Sequence, residues 1–413
     1  MSDFHQSGTI TTLHNLADRP IEEMEVELVE FSKKRPMALI LPSLFSELEG
    51  EALPHIVEEL KKVPYLGEIT IGLDRASEDE YRHALNFFDG LPQHKRILWN
   101  DGPRLRAIDA ELQDHGLSPV EAGKGRNVWF CLGYTIARDQ AEAIALHDCD
   151  IATYDRSMLA RLIYPMAHPN FSYQYAKGYY PRVAEGKLNG RVTRLLVTPF
   201  LRSLEQVLGP NDYISFLREF RYPLAGEFSF RRGVVPDIRI PSDWGLEVGI
   251  LSEMYRNYSP NRICQVDIAD RYDHKHQEVS AEDQTKGLSK MSVDICKLIF
   301  RKLATEGEVL NKAFFRAVKA AYFRNALDYV ERYKNDALMN GLKIDVHEEE
   351  KAVELFAQNI IGAGKVFVDS PMDSPMERPF IPSWRRVNSV IPDILPRLVE
   401  AVEADHQEFS AFS

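Results

Sequence analysis

The stretch MALILPSLFSELEGEALPHIVEELKKVPYLGEITIGLD, residues 37–74, sets the reading of the fold. Its first eight residues form a nearly continuous apolar run, which suits a strand covered on both faces in a parallel sheet. Leu53, Ile56, Val57 and Leu60 then recur at helical spacing, and GEITIGLD reads as a second strand ending on Asp74. Strand, helix and strand in that order predict a parallel βαβ unit.

The same rhythm continues outward. Ser77 is placed to cap a helix over 76–88 whose first turn is acidic. RILWND (96–101) is a third strand, and 103–116 a helix opened by Pro103 and closed at Gly116. NVWFCLGYTIAR (127–138) is a helix, and EAIALHDCD (142–150) a fourth strand that runs out into Asp148-Cys149-Asp150. This pattern predicts a doubly wound, Rossmann-like α/β sheet whose ligands lie beyond the carboxyl ends of its strands. Beyond residue 153 the pattern is mixed: helices over 157–166, 191–208 and 244–258 alternate with strands at 170–181, 225–232 and 262–277. From 281 the chain is mostly helical, with a Pro-rich loop at 369–384 before a last helix. Residues 1–33 read as an N-terminal extension, 34–280 as the main domain and 281–413 as a helical C-terminal region.

Composition narrows the function. The 413 residues are 44% hydrophobic and 27% charged, an ordinary globular balance. A net charge of -12, with no Lys/Arg-rich block, argues against nucleic acid as a partner and is compatible with a cation-binding site. Cys131, Cys149, Cys264 and Cys296 are widely spaced, which argues against a disulfide framework or a structural zinc site and for a reducing, cytoplasmic setting. No secretory signal is visible at the start, and no apolar run approaches the roughly 20 residues that cross a bilayer, so no membrane partner is expected.

Asp148 and Asp150 project to one side of an extended segment. Hard oxygen donors in that arrangement suit Mg²⁺ or Mn²⁺, with substrate phosphates as further ligands; a strand ending in a solvated turn is the plainer alternative. A phosphatase of the haloacid dehalogenase type is set aside. Its DxDx[TV] motif lies on the first strand, whereas here the fifth position is Ala152 and the strand is about the fourth. In YDHKHQ (272–277), His274 and His276 are candidates for a third metal donor. In EAGKGRN (121–127), Lys124 lies between glycines, where backbone N–H groups and an ammonium can approach a diphosphate. In NGRVT (189–193), Arg191 offers a fork for a phosphate or carboxylate.

Taken in order, LILPSL, GEITIGLD, GKG, DCDI, GRVT, PLAGEF, WGLEVGILSEMY and YDHKHQ resemble the glucosyl-3-phosphoglycerate synthases over about residues 36–277. These are retaining glycosyltransferases of the GT-A fold, related to mannosylglycerate synthase. The resemblance implies transfer of a hexose, glucose, from UDP-glucose or GDP-glucose to 3-phosphoglycerate with Mg²⁺ or Mn²⁺. The product class is that of compatible solutes or polysaccharide precursors. Same-fold alternatives use free glycerate or GDP-mannose.

By resemblance, Asp148, Asp150 and His274 hold the metal, and Asp150 and Glu247 flank the reacting groups. Pro42, Ser43, Leu44, Glu47, Asp74, Lys124 and Asp148 face the nucleotide sugar; Gly190, Arg191 and Thr193 face the acceptor. The family also implies a homodimer. The chain departs from the family at Phe45-Ser46-Glu47 and Arg75-Ala76-Ser77, both around the nucleobase, which leaves UDP and GDP open. A histidine loop one residue longer leaves His276 beside His274.

Overall fold

The computed structural model describes residues 6, 8–17, 19–118, 123–273, 287–369 and 380–410. The run at 37–44 becomes a strand as a whole. Ten strands are described: β1 (Thr11–Leu13), β2 (Met37–Leu44), β3 (Leu66–Asp74), β4 (His94–Trp99), β5 (Ala143–Leu146), β6 (Tyr175–Tyr179), β7 (Val183–Ala184), β8 (Lys187–Leu188), β9 (Phe228–Arg231) and β10 (Ile263–Asp267). Eight form one sheet in the order β1-β10-β6-β9-β5-β2-β3-β4, and β7 and β8 pair as a small hairpin. Neighbours are parallel except around β9, which is antiparallel to both β5 and β6. The expected α/β sheet of mixed direction, with a helical C-terminal region, is the observed fold.

The site follows from how β2 is paired. From β2 the chain builds outward to β3 and β4, then crosses back to lay β5 on the other flank. That reversal is the topological switch point, where open α/β sheets form their ligand crevice. β3 accompanies β2 to its end, with Leu44 opposite Asp74, but β5 pairs only from Met37 to Ile40. The last bond on that side is His147 N–H to the Ile40 carbonyl, 3.2 Å. With period two, Pro42 faces the flank that β5 has left, so its missing N–H breaks no ladder.

Local signals hold where they were strongest. Ser77 and Glu80 form a reciprocal capping box on helix Glu78–Phe88, and Gly116 turns left-handed (φ 65) after helix Pro103–Asp114. The helix expected over 191–208 begins instead as a π-helical turn, Val192–Val197, before regular helix Thr198–Leu208. Helix Asp212–Glu219, capped by Asn211, was not anticipated.

Two segments expected outside the main domain join it. From residues 1–33, β1 adds an edge strand beside β10, and helix Ile21–Ser32 packs on helix Arg156–Ala167. Beyond 281, helices Gly287–Thr305, Lys312–Met339 and Val346–Asp369 pack together and against Thr198–Leu208. Helix Ile394–Ser410 then returns to cover helix Lys124–Arg138, helix Pro103–Asp114 and β4. Trp384 anchors that return by stacking on Trp129 at 4.0 Å. Its indole donates to the Trp129 carbonyl while Trp129 donates to the Pro382 carbonyl. The four cysteines are buried and unpaired, and among the described residues no helix is long and apolar enough to cross a membrane.

A Cβ on Gly133 would stand 2.1 Å from the Trp384 ring, which its stacked partner holds in place. Gly133→Ala should therefore lower stability by about 1–3 kcal/mol in spite of alanine's better helix propensity. An unchanged or raised urea midpoint would contradict this.

Lys177, on β6, is 1% exposed and donates to the Ala225 carbonyl. Burial pushes its ammonium down to about 8 from the ordinary 10.5, against the pull of Glu247 and Glu227. Between those values the unfolded chain holds the proton and the folded chain does not, so Lys177 adds stability as pH rises through the window. The gain is on the order of 3 kcal/mol at most. Denaturant midpoints of wild type minus Lys177→Met, followed from pH 7.5 to 10, should show that rise; a flat difference would exclude it.

Candidate active site

As β5 ends, His147 stays in the core, fully buried, with its imidazole pushed down to about 3 by burial and hence neutral. The next residues turn into the crevice beside β2. Cys149 points inward (3% exposed), while Asp148 and Asp150 flank it on the open side. Burial, and then the charge of Asp148, push the Asp150 carboxyl up, and Glu47 and Glu227 add to the effect. This concentration of negative charge is what a divalent cation relieves, and carboxylate oxygens are the donors that Mg²⁺ and Mn²⁺ take.

The antiparallel strand β9 closes the wall opposite Asp148. A Cβ on Gly226 would fall 2.2 Å from Asp148 Oδ2, so only glycine leaves the carboxylate where it is. Lys177 holds the preceding carbonyl, Ala225, from behind. Glu227 is fully buried and accepts from the hydroxyls of Tyr180 and Tyr272, whose rings stack 3.7 Å apart.

Lys124 enters from the other side, at the first position of helix Lys124–Arg138. Cβ atoms on Gly123 and Gly125 would fall 2.6 Å from the Ser242 carbonyl oxygen and 2.0 Å from that of Pro241. One on Gly249 would fall 2.3 Å from the Pro241 ring. The GKG and GLEVG motifs thus close around one backbone segment, Pro241-Ser242, which brings Lys124 to Glu247 in the first turn of helix Leu246–Asn257. Lys124 Nζ lies 2.6 Å from Asp148 Oδ1 and 3.1 Å from Glu247 Oε1. Burial opposes its charge, but the two carboxylates outweigh burial and hold the ammonium well above the ordinary lysine range.

At the neighbouring strand ends, Ser43 is buried and donates to the Leu44 carbonyl, next to Pro42 at the open end of β2. Glu47 follows in the short helix Phe45–Leu48. Asp74, at the end of β3, accepts from Asn100 Nδ2 at 2.7 Å, and burial pushes its carboxyl up.

The GRVT segment sits on the π-helical turn. Gly190 is left-handed (φ 77), and Arg191 Nε donates to Glu349 Oε1 at 2.9 Å. The two terminal nitrogens of Arg191 have no partner among the described residues. Thr193 Oγ1 is likewise buried without one. Tyr272 lies under Arg182, whose carbonyl accepts from Asn189 N–H (2.8 Å), and so links this segment to the Glu227 wall.

The structure thus brings Asp148, Asp150, Lys124 and Glu247 together, with Ser43, Glu47 and Asp74 along the adjoining strand ends. His274 and His276 lie outside the described residues. Asp273, just before them, donates its N–H to Thr153 Oγ1 and accepts from Ala152 N–H, so the chain enters that loop beside Asp150. Among the described residues no group of three or more His, Cys, Asp or Glu is placed to hold a metal.

Sequence reasoning passed over Lys177, Arg182, Gly226, Glu227 and Glu349. Only PLAGEF carried a signal, and it pointed to no particular residue.

No family model matches the chain. The glucosyl-3-phosphoglycerate synthase of Persephonella marina is 45% identical over 408 residues, covering 99% of this chain and 100% of that protein. The enzyme of the same name from Methanococcoides burtonii is 37% identical over 413 residues, covering 98% and 99%. Among solved structures, Mycobacterium tuberculosis glucosyl-3-phosphoglycerate synthase with Mn²⁺, UDP-glucose and phosphoglyceric acid gives a TM-score of 0.53 at 18% identity, over 72% of this chain and 89% of that one. Mannosyl-3-phosphoglycerate synthase from Rubrobacter xylanophilus gives 0.52 at 20% identity, over 69% and 80%. At such identities the structures speak for the fold, whereas the two sequence relatives match almost end to end. The chain belongs to the glucosyl-3-phosphoglycerate synthase family.

Proposed function

We propose that this protein transfers glucose from UDP-glucose to 3-phosphoglycerate with retention, using Mg²⁺ or Mn²⁺, to give glucosyl-3-phosphoglycerate. The observation that carries this reading is the Lys124 ammonium shared between Asp148 and Glu247 at the switch point of the sheet, in a chain matched end to end by the Persephonella marina synthase.

Asp148 and Asp150 would hold the cation, which when bound supplies Lewis-acid neutralisation of the departing diphosphate. Lys124 adds a fixed positive charge at a helix N-terminus, where backbone N–H groups also favour phosphate. Ser43, Glu47 and Asp74 line the strand ends that face the nucleoside. Arg191, through the nitrogens that Glu349 leaves unpaired, and the Thr193 hydroxyl bind the acceptor phosphate. Glu247, fixed by Lys124, positions the acceptor hydroxyl beside the anomeric carbon, and the leaving phosphate takes its proton on the same face.

The direct test supplies Mg²⁺ or Mn²⁺, 3-phosphoglycerate or glycerate, and UDP-, GDP- or ADP-glucose or GDP-mannose, and reads nucleoside diphosphate release. UDP should appear only with UDP-glucose and 3-phosphoglycerate together, and Asp148→Asn and Asp150→Asn should each lower turnover by about a hundredfold or more. Release with glycerate alone, or with GDP-mannose in place of UDP-glucose, would overturn the assignment.

The β9 wall gives a separate check. Gly226→Ala displaces the Asp148 carboxylate without opening the core, so Mn²⁺ affinity should fall roughly ten- to a hundredfold while the melting temperature stays within a few degrees. Unchanged Mn²⁺ affinity would count against Asp148 as a ligand.

A further inference from the structure

Arg182, between β6 and β7, has surroundings unlike those of the other sequestered arginines. Arg191 and Arg194 share Glu349, Arg96 pairs with Glu403, and Arg104 with Asp405 and Glu408. Arg35 and Arg231 are satisfied by main-chain carbonyls, and Arg161 by the Asp267 carbonyl and the Asn15 side chain. Arg182 has neither kind of partner. Its Nη1 donates to the Tyr222 hydroxyl at 3.2 Å, its guanidinium lies 5.8 Å from the centre of the Tyr272 ring, and its Nε is buried with no partner. Among the described residues no carboxylate pairs with it.

An arginine cannot relieve burial by losing its proton, so a half-buried guanidinium without a counter-charge is held in reserve for an anion. Its place says which one. The Arg182 carbonyl accepts from Asn189 N–H, and its Cγ and Cβ lie 3.4 and 3.5 Å from where a Cβ on Gly190 would stand, directly against the GRVT turn. On its other side, Tyr272 leads through Glu227 and Gly226 to Asp148. Arg182 therefore lies between the turn assigned to the acceptor phosphate and the wall of the metal site. An acceptor spanning that interval needs a second anionic group, and 3-phosphoglycerate carries one, its carboxylate.

We propose that Arg182 binds the acceptor carboxylate as the second anion site beside Arg191 and Thr193, and so selects phosphorylated hydroxy acids over phosphorylated alcohols. This rests on the acceptor reading given above.

Calorimetric binding, in the presence of UDP and Mn²⁺, separates the two ideas. Titrations would use 3-phosphoglycerate and glycerol 3-phosphate, which keeps the phosphate and lacks the carboxylate. Arg182→Leu should weaken 3-phosphoglycerate roughly ten- to a hundredfold and glycerol 3-phosphate by less than about threefold, with Arg182→Lys in between. Thermal unfolding of each variant guards against misfolding, and Arg182→Lys, which keeps the charge, carries the test if the leucine variant is unstable. Equal weakening of both ligands, no weakening of either, or a loss confined to UDP would overturn the proposal. Carboxylate-dependent binding that requires Arg182, in a wild-type protein that releases no UDP, would uphold this site and count against the transfer reaction alone.

Discussion

Everything at the mouth of the sheet is arranged around one ammonium group. Asp148, Asp150, Glu47, Glu227 and Glu247 all converge there, and the Asp150 and Glu227 carboxyls are both pushed up by burial and by the charge of Asp148. Lys124 is the cation that touches two of them, and it keeps its proton because those contacts outweigh its desolvation. Three separate stretches of chain meet in that pair of contacts: the turn after β5, the start of helix Lys124–Arg138 and the first turn of helix Leu246–Asn257. A misplacement of any one would strand a charge in a poorly hydrated crevice, which is among the most expensive errors a fold can make.

Steric constraint does the rest. Gly123 and Gly125 let helix backbone reach the Ser242 and Pro241 carbonyls, Gly249 admits the Pro241 ring, and Gly226 lets the segment before β9 touch the Asp148 carboxylate. These glycines are needed for close approach rather than for unusual dihedral angles, since none of the four has a positive φ. The motifs around them are therefore packing devices that happen to carry Lys124, Glu247 and Glu227 at fixed offsets.

That distinction explains what could be read from the chain. β2 was legible because a strand buried on both faces is nearly apolar throughout, and helix Glu78–Phe88 because Ser77 and Glu80 satisfy its first N–H groups locally. The residues at strand ends were legible as a class, since an open α/β sheet puts ligands there whatever the chemistry. β1 was not: three residues hold no periodicity, and the strand exists only because β10 offers an edge. Lys177 and Arg182 look in sequence like ordinary surface cations. Their burial is decided by Ala225, Tyr222 and Tyr272, between 40 and 90 residues further along. Glu349 is hidden for a similar reason, being one of three consecutive glutamates of which the next, Glu350, is exposed.

Glu349 also gives the C-terminal helices a part in the site that no motif announced. The π-helical turn that carries Arg191 and Thr193 is gripped from that side at several points. Glu349 accepts from both Arg191 and Arg194, Tyr322 donates to the Leu195 carbonyl at 2.6 Å, and Tyr333 lies 4.9 Å from the Arg194 guanidinium. Lys343 N–H bonds the Gly186 carbonyl in the adjoining hairpin. One buried carboxylate between two guanidiniums fixes both in place yet leaves a net positive charge, and it engages Arg191 through Nε alone. The terminal nitrogens of that fork are thereby held in position with their donors unspent. A turn with π-helical hydrogen bonding is poorly stabilised by its own backbone. Its geometry depends on the helices packed behind it, and the Arg191 side of the crevice is in that sense built by the last third of the chain.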